Sequence, residues 1–308
     1  MKKTTLIIFL LSLYFVGFAQ KQTNTDSLNW KQYWKIKGRS YIHISQGAQM
    51  NWAKGGENLF SSLVKTNVFI NYKQKNHWWE NKIIWNYGFM LVNIPETSSS
   101  QYRKNDDVFD FNSSYGIKAT KKLYYNAQLN FKTLFFPGYN YPNDSIMTAG
   151  FLSPAYIIFS LGMNYKPNDN FTLMLSPLTS KTTMVVKAKD VDETKYGIKK
   201  GERLYKEIGA YFKLSYKYKI AKNIETENKL TLFSNYEYKP QNIDLEFQSD
   251  INFKINKYVK AVFTIHFIYD DDQSIPVNEF VDGKYTTVSY TKGLQFQEKI
   301  MIGIGIDF

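Results

Sequence analysis

Cysteine is absent from the 308-residue chain and histidine occurs only three times. A chain without thiols forms no disulfide and no thiolate metal site. Three imidazoles leave little material for histidine-based metal or acid–base chemistry. Beyond the first twenty residues, no run approaches the ~20 apolar residues of a spanning helix, so a helical membrane protein is excluded. Proline is scarce as well, at 8 residues, whereas 24 Tyr, 23 Phe and 6 Trp are present. That aromatic content is too high for a disordered tail and favours strands over helices. One large domain or two small ones remain.

The N-terminus reads as an address. Lys2 and Lys3 precede an apolar run from Leu6 to Val16, and Gly17 and Ala19 stand at the spacing that a signal peptidase reads. Residues 1–19 are therefore expected to be the signal peptide of an exported bacterial protein. No Cys follows the cleavage site to accept a lipid anchor. Loss of the leader removes two lysines and no acid, which takes the net charge from +12 to +10. Residues 20–38, with Trp30, Tyr33, Trp34 and Ile36 among lysines, are expected to form a periplasmic segment ahead of a barrel over 39–308.

From Ser40 onward the dominant pattern is alternation with period two. In 123–132, Leu123, Tyr125, Ala127, Leu129 and Phe131 share one face, and Tyr124, Asn126, Gln128, Asn130 and Lys132 the other. About twelve such segments occur, each near the ~10 residues that cross a bilayer at a tilt. They lie roughly at 40–52, 60–73, 79–93, 107–119, 122–135, 155–166, 170–184, 206–219, 226–239, 242–255, 258–270 and 293–308. Short connections alternate with long polar ones at 94–106, 136–154, 185–205 and 271–292. The expected fold is thus all-β: a transmembrane antiparallel up-and-down barrel of about twelve strands with both termini periplasmic and the location the outer membrane. A soluble β-sandwich or lipocalin-like barrel is the alternative. Aromatics near strand ends, such as Trp52, Trp78, Tyr218 and Tyr258, favour the membrane barrel. Ile300, Ile302, Ile304, Ile306 and Phe308 alternate to an aromatic terminus, and Ile304, Ile306 and Phe308 are expected to serve as the signal read by the outer-membrane insertion machinery.

The polar faces hold charges of both signs, and a lumen of this size is expected to be filled by paired side chains. His43, Glu246, Asp250, His266, Lys299 and Asp307 fall on the inward register and form the candidate polar network. Its ordinary reading is a hydrogen-bonded lattice; its functional reading is a selective conduit. A hydrolase acting on lipid or ester substrates is the alternative, built on His43 and His266 with Ser45 as nucleophile. The acids at 270–272 lack the ligand spacing of a calcium loop. No catalytic, cofactor or metal residue is assigned, and the chain is expected not to be an enzyme. The basic residues are scattered rather than gathered on one face, which sets nucleic acid aside. Lys187, Lys189, Lys195, Lys199, Lys200, Arg203 and Lys206 would instead face lipopolysaccharide phosphates. The expected partners are outer-membrane lipid, the insertion machinery and an envelope protein complex, and the expected function is a narrow small-solute channel or a non-catalytic scaffold.

Two stretches carry a family resemblance. Asn51-Trp52-Ala53-Lys54-Gly55-Gly56-Glu57-Asn58 resembles the NWxxGGEN segment of an uncharacterised Gram-negative outer-membrane barrel family, a domain of unknown function. Ser176-Pro177-Leu178-Thr179-Ser180-Lys181 is similar to its SPLTGK-like segment, with Ser180 in place of glycine. The resemblance implies the barrel and the compartment and no activity. Gly55 and Gly56 suit a tight hairpin, with Trp52 at an interface and Glu57 and Asn58 bonding the turn. Pro177 inside a strand should mark a bulge, because it donates no ladder hydrogen bond.

Overall fold

The computed structural model describes residues 32–47, 59–94, 99–139, 147–186, 191–273, 275–281 and 284–308. The leader, the Asn51–Asn58 stretch, Lys187, Lys189 and the side chain of Ser45 lie outside the described set. In chain order the strands are β1 (Trp34–Gly47), β2 (Leu59–Gln74), β3 (His77–Ile94), β4 (Ser99–Lys118), β5 (Leu123–Thr133), β6 (Gly138–Tyr139), β7 (Met147–Ala149) and β8 (Ala155–Asn168). They continue as β9 (Phe171–Met184), β10 (Leu204–Ala221), β11 (Ile224–Asn235), β12 (Ile243–Lys254), β13 (Val259–Tyr269), β14 (Ile275–Val281), β15 (Lys284–Thr291) and β16 (Gln295–Asp307). Twelve of these close an antiparallel barrel in the order β1-β16-β13-β12-β11-β10-β9-β8-β5-β4-β3-β2. The remaining four form two ribbons in the loops, β6 with β7 and β14 with β15.

Alternation sets the two faces, and register carries them round the sheet. The row Lys254↔Lys260↔Gly303↔His43↔Leu63↔Gly88↔Asp106 crosses seven strands on the inward side. The outward side is the reverse of a soluble protein, since Ile42, Ile44, Phe159, Leu175, Leu178, Ile302 and Ile304 are exposed and Ile300 is 77% exposed. A soluble barrel would bury that face, so the inside-out arrangement removes the soluble alternative. Asn81 and Ser113 break the apolar outer face, and both are hydrogen-bonded: Trp79 donates to Ser113 at 2.8 Å, Ser113 to Asn81 at 2.8 Å, and Asn81 to the Ile70 carbonyl at 3.2 Å.

Several boundaries differ from the sequence expectation. The barrel begins at Trp34 rather than 39, because Lys35, Ile36 and Lys37 already alternate and pair with Asn71, Ile70 and Phe69. The segment 94–106 is no polar loop: β3 and β4 run on to Ile94↔Ser99, past an irregularity at Gly88/Phe89. Of the connection 185–205, the described residues Val185, Val191 and Ile198 are buried against Met147, Tyr196 and Tyr205. The backbone N–H of Gly201 donates to Glu193 at 2.7 Å and holds its carboxyl below the ordinary range. The Pro177 expectation holds, because the ladder of β9 slips against both β8 and β10 at this point. Ser176 fills the gap by donating to the Leu161 carbonyl at 2.6 Å, and Gly162 opposite leaves no room for a Cβ.

Candidate functional site: the charged lumen

The inward faces place the charges, and the barrel then pairs them across its bore. Lys299 on β16 reaches Asp106 on β4 at 3.3 Å, with three strands between them in the sheet. Lys132 on β5 lies 3.9 Å from Glu246 on β12, with four strands between them. Lys166 on β8 meets Glu80 on β3 at 2.7 Å, and its ammonium also stands over the Trp78 ring. Bridges of this kind join facing walls rather than neighbours, so they lace the bore at several levels.

The long-loop end holds the densest cluster. Lys181 of the Ser176–Lys181 stretch contacts Asp244 at 2.7 Å, Glu207 at 3.3 Å and Asp270 at 3.5 Å. Glu207 is 1% exposed, and its other oxygen accepts from Asn235 at 3.2 Å. One lysine thus compensates three carboxylates in a low-dielectric pocket, which is stable only while the geometry is complete. Asp271 and Asp272 follow in the loop. Burial pushes the Asp272 carboxyl up from its ordinary value, whereas the Asn242 amide at 2.9 Å holds that of Asp271 down. Of the acid run 270–272, Asp270 therefore belongs to the ion-pair cluster around Lys181, whereas Asp271 pairs with Lys292 at 3.5 Å.

The six network candidates separate into levels. Asp250 and Lys299 share one row, Asp250↔Thr264↔Lys299, and Asp250 accepts from Thr264 at 2.7 Å and Gln248 at 2.8 Å. His266 lies one row toward the long loops and pairs with Glu246 at 3.0 Å. Asp307 sits at the short-turn end, held by Lys260 at 2.8 Å and Tyr41 at 2.7 Å. His43 is 8% exposed, lies over Gly303, and has a buried Nδ1 without a hydrogen-bond partner. His43 and His266 thus belong to different levels of the bore. His77, the third histidine, bonds Tyr115 at 2.8 Å at a hairpin, so the bonded imidazoles have a carboxylate and a phenol as partners rather than a hydroxyl nucleophile. Asp250→Ala should cost ~1–3 kcal/mol, because Thr264 and Gln248 lose their acceptor in a half-buried row; the check is the unfolding midpoint in detergent.

Sequence reasoning missed Lys181 and Glu207. Parity was the available signal, since Thr179, Lys181 and Thr183 face inward with Glu207 opposite Lys181. A second feature emerges only in the closed barrel. Among the described residues, the inward lysines Lys65, Lys82 and Lys213 have no carboxylate within ion-pair distance. Lys82 instead stands over the Phe69 ring at 5.4 Å. Lys82 lies within electrostatic reach of Lys213 and Lys229 on the far wall and of Glu227 and Asp110, Lys213 within reach of Asp110 and Glu246, and Lys65 within reach of Lys299, Asp106 and Asp250.

A family model described as "Protein of unknown function (DUF3078)" matches residues 44–139, less than half of the chain. That range includes the Asn51–Asn58 stretch but not Ser176–Lys181. No curated protein matches the chain. Solved structures of similar shape include the translocator domain of the autotransporter NalP from Neisseria meningitidis, at 8% identity and a TM-score of 0.38, with 100% of this chain and 97% of that one covered. An outer membrane channel from Pseudomonas putida F1 is 9% identical, with a TM-score of 0.40 and coverage of 94% and 100%. Outer membrane phospholipase A from Escherichia coli is 11% identical, with a TM-score of 0.35 and coverage of 93% and 94%. Likeness at this level carries nothing about what the chain does.

Proposed function

We propose that this chain is an outer-membrane barrel whose lumen is a narrow conduit for small solutes with a preference for anions, and that it is not a catalyst. The inward lysines Lys65, Lys82 and Lys213, which have no carboxylate within ion-pair distance, carry this reading. Cations without a direct ion pair inside a closed wall are the groups a passing anion can meet, and rings of one sign set ion preference. The trans-lumen bridges narrow the bore, so the conductance is that of a laced passage and not of an open porin. The exposed apolar belt is the lipid-facing surface. In this orientation the short turns and both barrel ends lie on the periplasmic side, and Lys195, Lys199, Lys200 and Arg203 of the long-loop end face lipopolysaccharide.

The non-catalytic scaffold is the second reading, favoured by the same bridges if they occlude the bore. A reversal-potential measurement in planar bilayers separates the two. The wild-type barrel should be anion-preferring, and Lys82→Gln combined with Lys213→Gln should shift it toward cations. Electrical silence of a correctly folded barrel would replace the conduit by the scaffold.

A further inference from the structure

The short connections β2–β3, β4–β5, β8–β9, β10–β11 and β12–β13 all lie at the end of the barrel where β1 starts and β16 stops. These turns, three strand residues on either side of each, and the three terminal residues of β1 and β16 at that end hold twelve lysines. Against them stand three acidic side chains, Asp169, Glu225 and Asp307. The lysines are scattered along the sequence, and closure gathers them onto one rim. Two are answered: Lys166 by Glu80 at 2.7 Å and Lys260 by Asp307 at 2.8 Å. The other ten are exposed, and among the described residues none has a carboxylate within ion-pair distance.

Register decides which way they point. Lys35 has the parity of His43 on β1, Lys73 that of Lys65 on β2, Lys118 that of Asp110 on β4, and Lys254 that of Asp250 on β12. All four therefore face the bore at its mouth. The acids of the same mouth are engaged or set apart from them. Glu80 is held by Lys166, and Asp307 by Lys260 and, at 3.6 Å, by Arg39. Glu225 stands opposite Lys219 in the β10–β11 ladder, and Asp169 occupies the β8–β9 turn. On the outer face of these strand ends stand the exposed rings of Trp79, Tyr115, Tyr125 and Tyr218, which suit a membrane interface. The lipid side of the rim is thus aromatic and the bore side cationic.

We propose that the short-turn mouth is a docking surface for an acidic segment of a periplasmic protein, whose carboxylates are received by Lys35, Lys73, Lys118 and Lys254 around the opening of the bore. From the preceding reading it takes the orientation alone, and it holds equally for a barrel that conducts nothing. Charge selects the occupant. Residues 20–31, which precede β1 and lie outside the described set, carry Lys21, Lys31 and one acid, Asp26, so that segment brings no net negative charge. A second copy meeting this rim with its own would set lysine against lysine. Anionic lipid would be met by the turn residues Lys75, Lys121, Lys222 and Lys257, whereas the four mouth lysines face away from the bilayer. All four are compact point charges without the planar fork of arginine, so the ring reads net charge rather than bidentate geometry. Binding should weaken as salt rises.

The test places the full mature chain in nanodiscs of zwitterionic phosphatidylcholine and uses fluorescent polyglutamate as the probe. Three variants each lose four exposed cations. The mouth variant carries Lys35→Gln, Lys73→Gln, Lys118→Gln and Lys254→Gln. The turn variant carries Lys75→Gln, Lys121→Gln, Lys222→Gln and Lys257→Gln, and the long-loop variant Lys199→Gln, Lys200→Gln, Arg203→Gln and Lys206→Gln. Heat-modifiable migration checks that each barrel is closed. The wild type should bind the probe in a salt-sensitive manner, and the mouth variant should bind it about tenfold or more weakly, as for several exposed ion pairs lost together. The long-loop variant should stay within about twofold of the wild type. Equal losses at the mouth and the long loops would overturn the proposal, because binding would then follow net charge alone. So would a wild type that does not bind. The greatest loss in the turn variant, with polyglutamate displaced once phosphatidylglycerol is included in the disc, would assign the rim to anionic lipid instead. Absence of conductance beside mouth-specific polyglutamate binding would count against the conduit alone, because the binding readout is independent of it.

Discussion

Replacing Lys181 by Met should be among the most damaging single changes to the barrel, at ~3–5 kcal/mol, the usual cost of removing one partner from a buried ion pair. Asp244, Glu207 and Asp270 would lose their common cation, and each is at most 18% exposed. Glu207 suffers most, since its Oε2 has only that lysine for compensation. The unfolding midpoint in detergent should fall sharply at neutral pH. Lowering the pH should narrow the deficit, because protonated carboxyls no longer repel one another. Combining Lys181→Met with Glu207→Gln should recover part of the loss. A variant as stable as wild type at neutral pH would show that the cluster is solvated and contributes little.

Gly305→Val should prevent closure altogether. A Cβ at residue 305 would overlap the Ser40 carbonyl and the Tyr41 ring, and the carbonyl belongs to the backbone of the facing strand. Overpacking costs ~1–3 kcal/mol when side chains can yield, and here a backbone atom of β1 must yield, at the seam where β1 and β16 share only the five rungs from Arg39↔Asp307 to His43↔Gly303. The fraction of heat-modifiable, closed barrel after refolding should collapse, while Ile304→Val on the exposed outer face should leave it unchanged. Normal closure of Gly305→Val would mean that the packing of the Tyr41 ring on Gly305 does not hold the β1–β16 seam. Phe308 takes part in the same seam through its two backbone hydrogen bonds to Gly38, so it has a role in the closed barrel besides any role as an assembly signal.

The twelve barrel strands follow the alternating segments in order, and the inward parity of His43, Glu246, Asp250, His266, Lys299 and Asp307 was readable directly from the chain. Both follow from a local rule: in a strand, each side chain points opposite to the last, so polar and apolar residues sort themselves without knowledge of distant partners. The bulge at Pro177 was readable for the same reason, since a missing N–H is a property of one residue. The grouping of those inward residues was not readable. Parity says that Lys299 faces inward, but only closure brings it to Asp106, 193 positions away. Lys181 looked ordinary until three carboxylates from β10, β12 and the turn after β13 converged on it. The glycines at 303 and 305 read as pauses in an isoleucine repeat, and the barrel makes them seats for His43 and Tyr41. Pattern alone therefore determined which way each residue faces, because facing depends on adjacent peptide geometry. Tertiary structure decided what each inward residue meets and where the last seam stops, because those depend on strand stagger and curvature, which close the sheet as a whole and leave no periodic trace in the sequence.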